Sequence, residues 1–74
     1  MAHPREIYYY AIQHLATSIV VVHNHPSDHI KPSANDLALT KQLQSAGELV
    51  GIPVLDHFIV SPHHYFSFKE EGLM

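Results

Sequence analysis

Apolar residues recur at Ile7, Ala11 and Leu15, with Tyr8 and Ile12 beside them, and this period predicts an amphipathic helix over residues 4–16. Pro4 suits the first turn of such a helix, where a missing N–H costs nothing. Thr17 and Ser18 break the pattern, and Ser18 to Val22 is β-branched and apolar without alternation. That run predicts a strand covered on both faces and ending at His23. A second helix opens at Ser33 and sets Leu39, Leu43, Ala46, Gly47 and Val50 on one face. Gly51 ends it and Pro53 prevents its continuation. Residues 52–60 read as an internal strand, with Ile52, Val54, Phe58 and Val60 on one face and Leu55 and Ile59 on the other. Ser61-Pro62-His63-His64 is a turn, and residues 65–68 form a short strand antiparallel to 52–60. The expected fold is α/β (α+β), in the order helix-strand-helix-strand-strand.

Three features interrupt this pattern. Tyr8, Tyr9 and Tyr10 span most of a helical turn, so at least one must be exposed. Gly47 inside a helix costs roughly 1 kcal/mol relative to alanine, which points to close packing against the sheet. Asp56 and His57 are polar residues in an otherwise apolar strand and need partners. Asp56 suits either of two tasks: accepting a ring N–H from His23 or His25, or holding a backbone turn.

Seventy-four residues form one small domain, 1–74, with a core that is marginal unless a metal or partner chain supports it. There is no cysteine, which excludes disulfides and thiolate metal sites. Net charge is −3 and Lys plus Arg total four, so a strongly basic surface is excluded and direct DNA binding is disfavoured. No apolar run approaches the ~20 residues that span a bilayer, and no secretory signal is visible. A bacterial cytoplasmic protein is the expectation.

The candidate chemistry lies in HNHPSDHIKPSAND, His23 to Asp36. His23 and His25 are two residues apart and share a face of an extended chain. With Asp36 they make three N/O ligands, a set that suits zinc with one position open for water. Asp36 in the first helical turn also meets the positive end of the helix dipole, which favours its ionised form. Two plainer readings stand beside this one. Ser33 and Asp36 also fit a capping-box variant, and Asn24 to Asp28 is rich in turn residues. Pro26 and Pro32 restrict the loop, and His29 is a spare imidazole expected in solvent rather than as a fourth ligand.

His23-x-His25-x(7)-Ser33-x(2)-Asp36 resembles the JAMM motif of the JAB/MPN metallopeptidases. Pro4-Arg5-Glu6-Ile7, His23-Asn24-His25-Pro26-Ser27, Pro32-Ser33, Asp36, Thr40 and Leu55-Asp56-His57-x-Ile59 are similar to the bacterial RadC family, a JAMM branch historically linked to DNA repair. The likeness runs from about Pro4 to Leu73, with Asp28 standing where the family usually has glycine. It implies a JAB/MPN-like, cytidine deaminase-like partial domain with one Zn2+ per chain on His23, His25 and Asp36. It implies Ser33 as the oxyanion-stabilising residue and amide or isopeptide hydrolysis as the reaction. The family's general-base glutamate lies on a strand upstream of Pro4-Arg5-Glu6, and Glu6, Glu48, Glu70 and Glu71 do not match it. The resemblance therefore implies an N-terminally truncated domain that binds zinc and hydrolyses poorly, and a homo-oligomer formed through an uncovered sheet edge. A non-catalytic metal-binding module and a DNA-repair accessory protein are the rival functions.

Overall fold

A computed structural model describes residues 3–25 and 29–74; Pro26 and Asp28, and what was expected of them, lie outside the described residues. The elements are α1 (Pro4–Gln13), β1 (Ile19–Asn24), α2 (Ala34–Val50), β2 (Val54–Val60) and β3 (Tyr65–Ser67). The two helices and three strands occur in the expected order. β1 and β2 are parallel, joined by the crossover through α2, and β3 returns antiparallel to β2. The sheet order is β1-β2-β3.

α1 starts as its sequence dictates, with Pro4 in the first turn and the His3 ring accepting the Arg5 N–H at 3.1 Å. It stops three residues short of the expected end. Leu15 takes a left-handed conformation at φ 54°, its N–H bonds to the Ile12 carbonyl, and the Ala16 N–H bonds to the Ala11 carbonyl. This is the Schellman pattern, which turns the chain off the helix axis. Leu15 is consequently 86% exposed and Ile12 is exposed too, so the inward stripe is Ile7, Tyr8 and Ala11 rather than Ile7, Ala11 and Leu15. Tyr9 and Tyr10 are the exposed members of the tyrosine run.

The core gathers Tyr8, Ala11, Leu39, Leu43 and Ile52, with Ile19, Val21 and Val54 of the sheet packed on it. The Tyr8 hydroxyl sits 3.1 Å from the Leu43 carbonyl oxygen and 2.9 Å from that of Ile52. Gly47 makes this approach possible, because a Cβ there would stand 2.6 Å from the Tyr8 hydroxyl and 2.7 Å from the Ile52 carbonyl oxygen. The close contact that requires glycine is thus with α1 and the chain leaving α2, not with the sheet. Gly51 caps α2 at φ 75°.

β2 is the middle strand, as expected, but it begins at Val54 rather than residue 52, and the expected burial of the first two strands needs correction. β1 runs on through His23 to Asn24, and its residues alternate, with Val20 and Val22 exposed. It is the end strand of the three, and the core packs only on its Ile19 and Val21 side. In β2 the register jumps from Ile19↔Val54 to Val20↔Asp56, so Leu55 is the extra residue of a bulge. The bulge leaves Leu55 exposed and puts His57 and Ile59 in the interior. Val54 accordingly packs on the core, although its even-numbered companions Phe58 and Val60 are only half-buried.

Candidate metal centre

The site forms where the carboxyl end of β1 meets the amino end of α2. Strand pairing sets the two histidines: His23 lies opposite Ile59, and the His25 N–H continues the pairing by bonding to the Val60 carbonyl at 2.8 Å. Helix capping sets the aspartate. Ser33 Oγ accepts the Asp36 N–H at 3.1 Å, and Asp36 Oδ2 accepts the Ser33 N–H at 2.8 Å. The capping box and the candidate ligand set therefore coexist in the same residues. Asp36 is 1% exposed, while both imidazoles reach partly into solvent.

His23 Nδ1 stands 3.0 Å from Asp36 Oδ1, and His25 Nε2 stands 3.8 Å from Asp36 Oδ2. One donor atom from each residue lies within 4.8 Å of the others, a cluster that could hold a metal ion. Donors ~2.0–2.1 Å from a tetrahedral zinc are roughly 3.3–3.4 Å apart; the two imidazole–carboxylate separations, each to a different oxygen, are 3.0 and 3.8 Å, and the whole set spans up to 4.8 Å. His23 Nδ1 and Asp36 Oδ1 are both buried, and despite their closeness neither has a hydrogen-bond partner among the described residues. Two adjacent buried atoms with no aligned hydrogen between them suit a shared cation, and otherwise carry a desolvation penalty. The rings of His23 and His25 meet edge to face, centroids 4.7 Å apart at 86°. His25 Nδ1 lies 2.9 Å from the His29 carbonyl oxygen. Donation there puts the hydrogen on Nδ1 and leaves the Nε2 lone pair available to a cation, the usual way a metal-binding histidine is oriented. His29 thus serves through its backbone, and its side chain is exposed.

The electrostatics favour a bound cation. Burial pushes the Asp36 carboxyl up, but the Ser33 hydrogen bonds and the neighbouring imidazoles outweigh it, and the pKa falls below the ordinary carboxylate value. The carboxylate is therefore ionised at neutral pH without a metal. The all-N/O donor set suits a borderline-to-hard divalent ion such as zinc, and three ligands leave further coordination positions open.

The carboxylate considered for the outer shell has the other task. Asp56 Oδ2 accepts the Ser67 hydroxyl at 2.6 Å, and Oδ1 accepts the N–H groups of His57 and Lys69 at 2.7 and 3.1 Å. Burial raises its pKa, but these bonds and the Lys69 charge outweigh that and lower it overall. Asp56 thus ties β2 to β3 and the turn after it. Its side chain shares the outer face of the sheet with Val20, its partner in β1, because side chains alternate along a strand.

The residue beside the ligands is His57, which the sequence marked only as needing a partner. It is 0% exposed. Its ring stacks on Phe68 at 4.4 Å and 4°, and lies nearly parallel to His23 at 6.4 Å and 18°. Nδ1 lies 2.7 Å from Thr40 Oγ1, which in turn lies 2.9 Å from the Asp36 carbonyl oxygen. Burial lowers the His57 pKa and outweighs the opposing pull of Asp36, so the ring is neutral at pH 7. The place of His57 was not readable from its own strand, because it depends on the bulge at Leu55. Ile7, Val21, Leu39, His23 and His57 line an apolar cavity of about 180 Å³ next to the ligands.

A parallel strand pair is bridged by a helix, with two histidines and a capping aspartate converging at one end in a cluster that could hold a metal ion, as in a domain of the JAB type. The chain matches the RadC-like JAB domain over residues 1–73 and belongs to that family. It is 52% identical over 71 residues to a UPF0758 protein of Streptococcus sanguinis (strain SK36), covering 96% of this chain and 31% of the relative. A UPF0758 protein of Streptococcus equi subsp. zooepidemicus (strain MGCS10565) is 52% identical over 72 residues, covering 97% of this chain and 32% of the relative. The chain therefore spans about a third of the length of these relatives. Among the described residues, no helix is long and apolar enough to cross a membrane.

Proposed function

We propose that this chain carries the zinc-binding centre of a metal-dependent hydrolase acting on amide or isopeptide bonds. The observation that carries the reading is the pair of orphaned buried atoms, His23 Nδ1 and Asp36 Oδ1, 3.0 Å apart, with His25 Nε2 alongside. These three atoms would hold the ion. Zinc held by such a set lowers the pKa of a coordinated water and polarises a carbonyl.

The rest of the work falls to the chain. Asp36 and the two imidazoles would supply the donor atoms, and the His29 carbonyl holds the His25 tautomer. Ser33 Oγ uses a lone pair on the Asp36 N–H, so its own hydrogen is free for the oxyanion that forms at an attacked carbonyl. Hydrolysis also needs a base for the proton of water. The one carboxylate in the described cluster, Asp36, is a ligand and is unsuited to that role. We assign the base to residues outside this cluster, and expect this chain to bind zinc more readily than it hydrolyses.

The same observation leaves a second reading, a metal that serves folding alone. The test is zinc content and melting temperature of wild type and His25→Ala, with and without chelator, followed by amine release from peptide and isopeptide-linked substrates. The same substrates are offered to a relative of full length. Zinc near one per chain, lost in His25→Ala, supports the centre. Zinc-dependent amine release by the full-length relative, abolished when its counterpart of Ser33 becomes alanine, supports the hydrolase. Zinc-dependent stability with no hydrolysis by either protein supports the folding role.

A further inference from the structure

We propose that His57 is a positioning residue for the metal centre, acting through Thr40 on the helical turn that carries Asp36 and through its ring on His23. The inference rests on the metal-site reading above and adds a residue to it. Hydrogen counting gives the direction of each bond. The Asp36 carbonyl can only accept, so the single hydroxyl hydrogen of Thr40 goes to it at 2.9 Å. Thr40 Oγ1 must then accept at its 2.7 Å contact with His57, so the His57 hydrogen is on Nδ1. The chain of bonds runs His57 Nδ1–H to Thr40 Oγ1–H to the Asp36 carbonyl, and it pins the first turn of α2 against β2. The His57 ring also stacks on Phe68 and lies nearly parallel to the ring of His23 at 6.4 Å. Two of the three ligand residues are therefore braced by one buried side chain.

A purely structural role explains this poorly. With the hydrogen on Nδ1, His57 Nε2 keeps a buried lone pair that has no hydrogen-bond partner among the described residues. An apolar ring of similar size would pack between Phe68 and His23 without that penalty. The histidine is thus costly for the core, and its bond to Thr40 is what an apolar ring would not supply. His57→Phe should separate the two roles, keeping the stack while removing both the orphaned nitrogen and the bond to Thr40.

The experiment measures zinc affinity by competition, cobalt(II) absorption spectra and the metal-free melting temperature of the whole chain. The variants are His57→Phe, His57→Asn, Thr40→Val and Thr40→Ser. His57→Phe should keep or raise the metal-free melting temperature. His57→Phe and Thr40→Val should both weaken zinc binding by roughly 10–100-fold, as removal of a ligand's supporting partner does. Both should also alter the cobalt spectrum. His57→Asn, which keeps a donor near the Nδ1 position, and Thr40→Ser should restore most of the affinity. Wild-type affinity and spectrum in both His57→Phe and Thr40→Val would overturn the role of His57 while leaving the metal centre standing. A wild-type chain that binds neither zinc nor cobalt would overturn the centre itself and this role with it. If His57→Phe fails to fold, Thr40→Val decides: weakened binding supports the role, and unchanged binding makes His57 a packing residue.

Discussion

Replacing Asp36 with asparagine separates the two tasks of that residue, helix capping and metal binding. Asparagine keeps a side-chain carbonyl for the Ser33 N–H, now bonded at 2.8 Å, and keeps its own N–H for Ser33 Oγ. The main loss in the metal-free chain is the charge at the helix amino end, about 0.3–1 kcal/mol. The metal-free melting temperature should therefore stay within a few degrees of wild type. With zinc the two chains should diverge. An ion at about 100 times its dissociation constant adds about 2.7 kcal/mol to the folded state. In a domain of this length that corresponds to a rise of roughly 10–20 °C. The variant, with one ligand charge gone and a donor in its place, should show no rise at the same zinc concentration. Far-UV circular dichroism melts across a zinc series, with a chelator control, measure both quantities. A zinc-dependent rise that survives in Asp36→Asn, or a metal-free collapse of the variant, would refute the separation of tasks.

Three further outcomes follow from the same geometry. Gly47→Ala gains helix propensity of about 1 kcal/mol, but its Cβ meets the Tyr8 hydroxyl and the Ile52 backbone oxygen at 2.6 and 2.7 Å. Overpacking of about 1–3 kcal/mol together with a strained Tyr8 hydrogen bond should outweigh that gain, and a net loss of about 1–2 kcal/mol should appear in urea melts. Leu15→Gly should stabilise the chain by about 0.5–1 kcal/mol, because Leu15 sits at φ 54° and is 86% exposed, so little burial is lost with its side chain. Melts in chelator should lose stability on acidification. His57 has a folded pKa below its ordinary ~6.5, so its contribution is complete above that value and falls away as pH drops toward the folded one. Asp56 is also depressed, and its contribution disappears at lower pH, below its ordinary ~3.9. A melting temperature that rises between pH 7 and pH 5 would contradict the His57 assignment.

Much of this protein is written locally. The capping box at Ser33 and Asp36, the stop at Gly51 and the two-residue spacing of His23 and His25 each depend on residues within one turn or one strand repeat. The sequence alone therefore carried the element order, the amino end of α2 and the three candidate ligands. The remaining features depend on pairings between distant segments. Leu15 reads as core by period, yet a left-handed turn takes it out of the helix. β1 reads as doubly covered from composition, yet its burial depends on which elements lie on either side of the sheet. The bulge at Leu55 exchanges the faces of β2, and a slip of one residue is invisible to an apolar run that suits both faces. That slip turns His57 inward beside His23 and leaves Asp56 on the outer face with Ser67. Tertiary structure alone joined His57 to Thr40 and Asp56 to Ser67, because these partners are 17 and 11 residues away and are brought near by strand register.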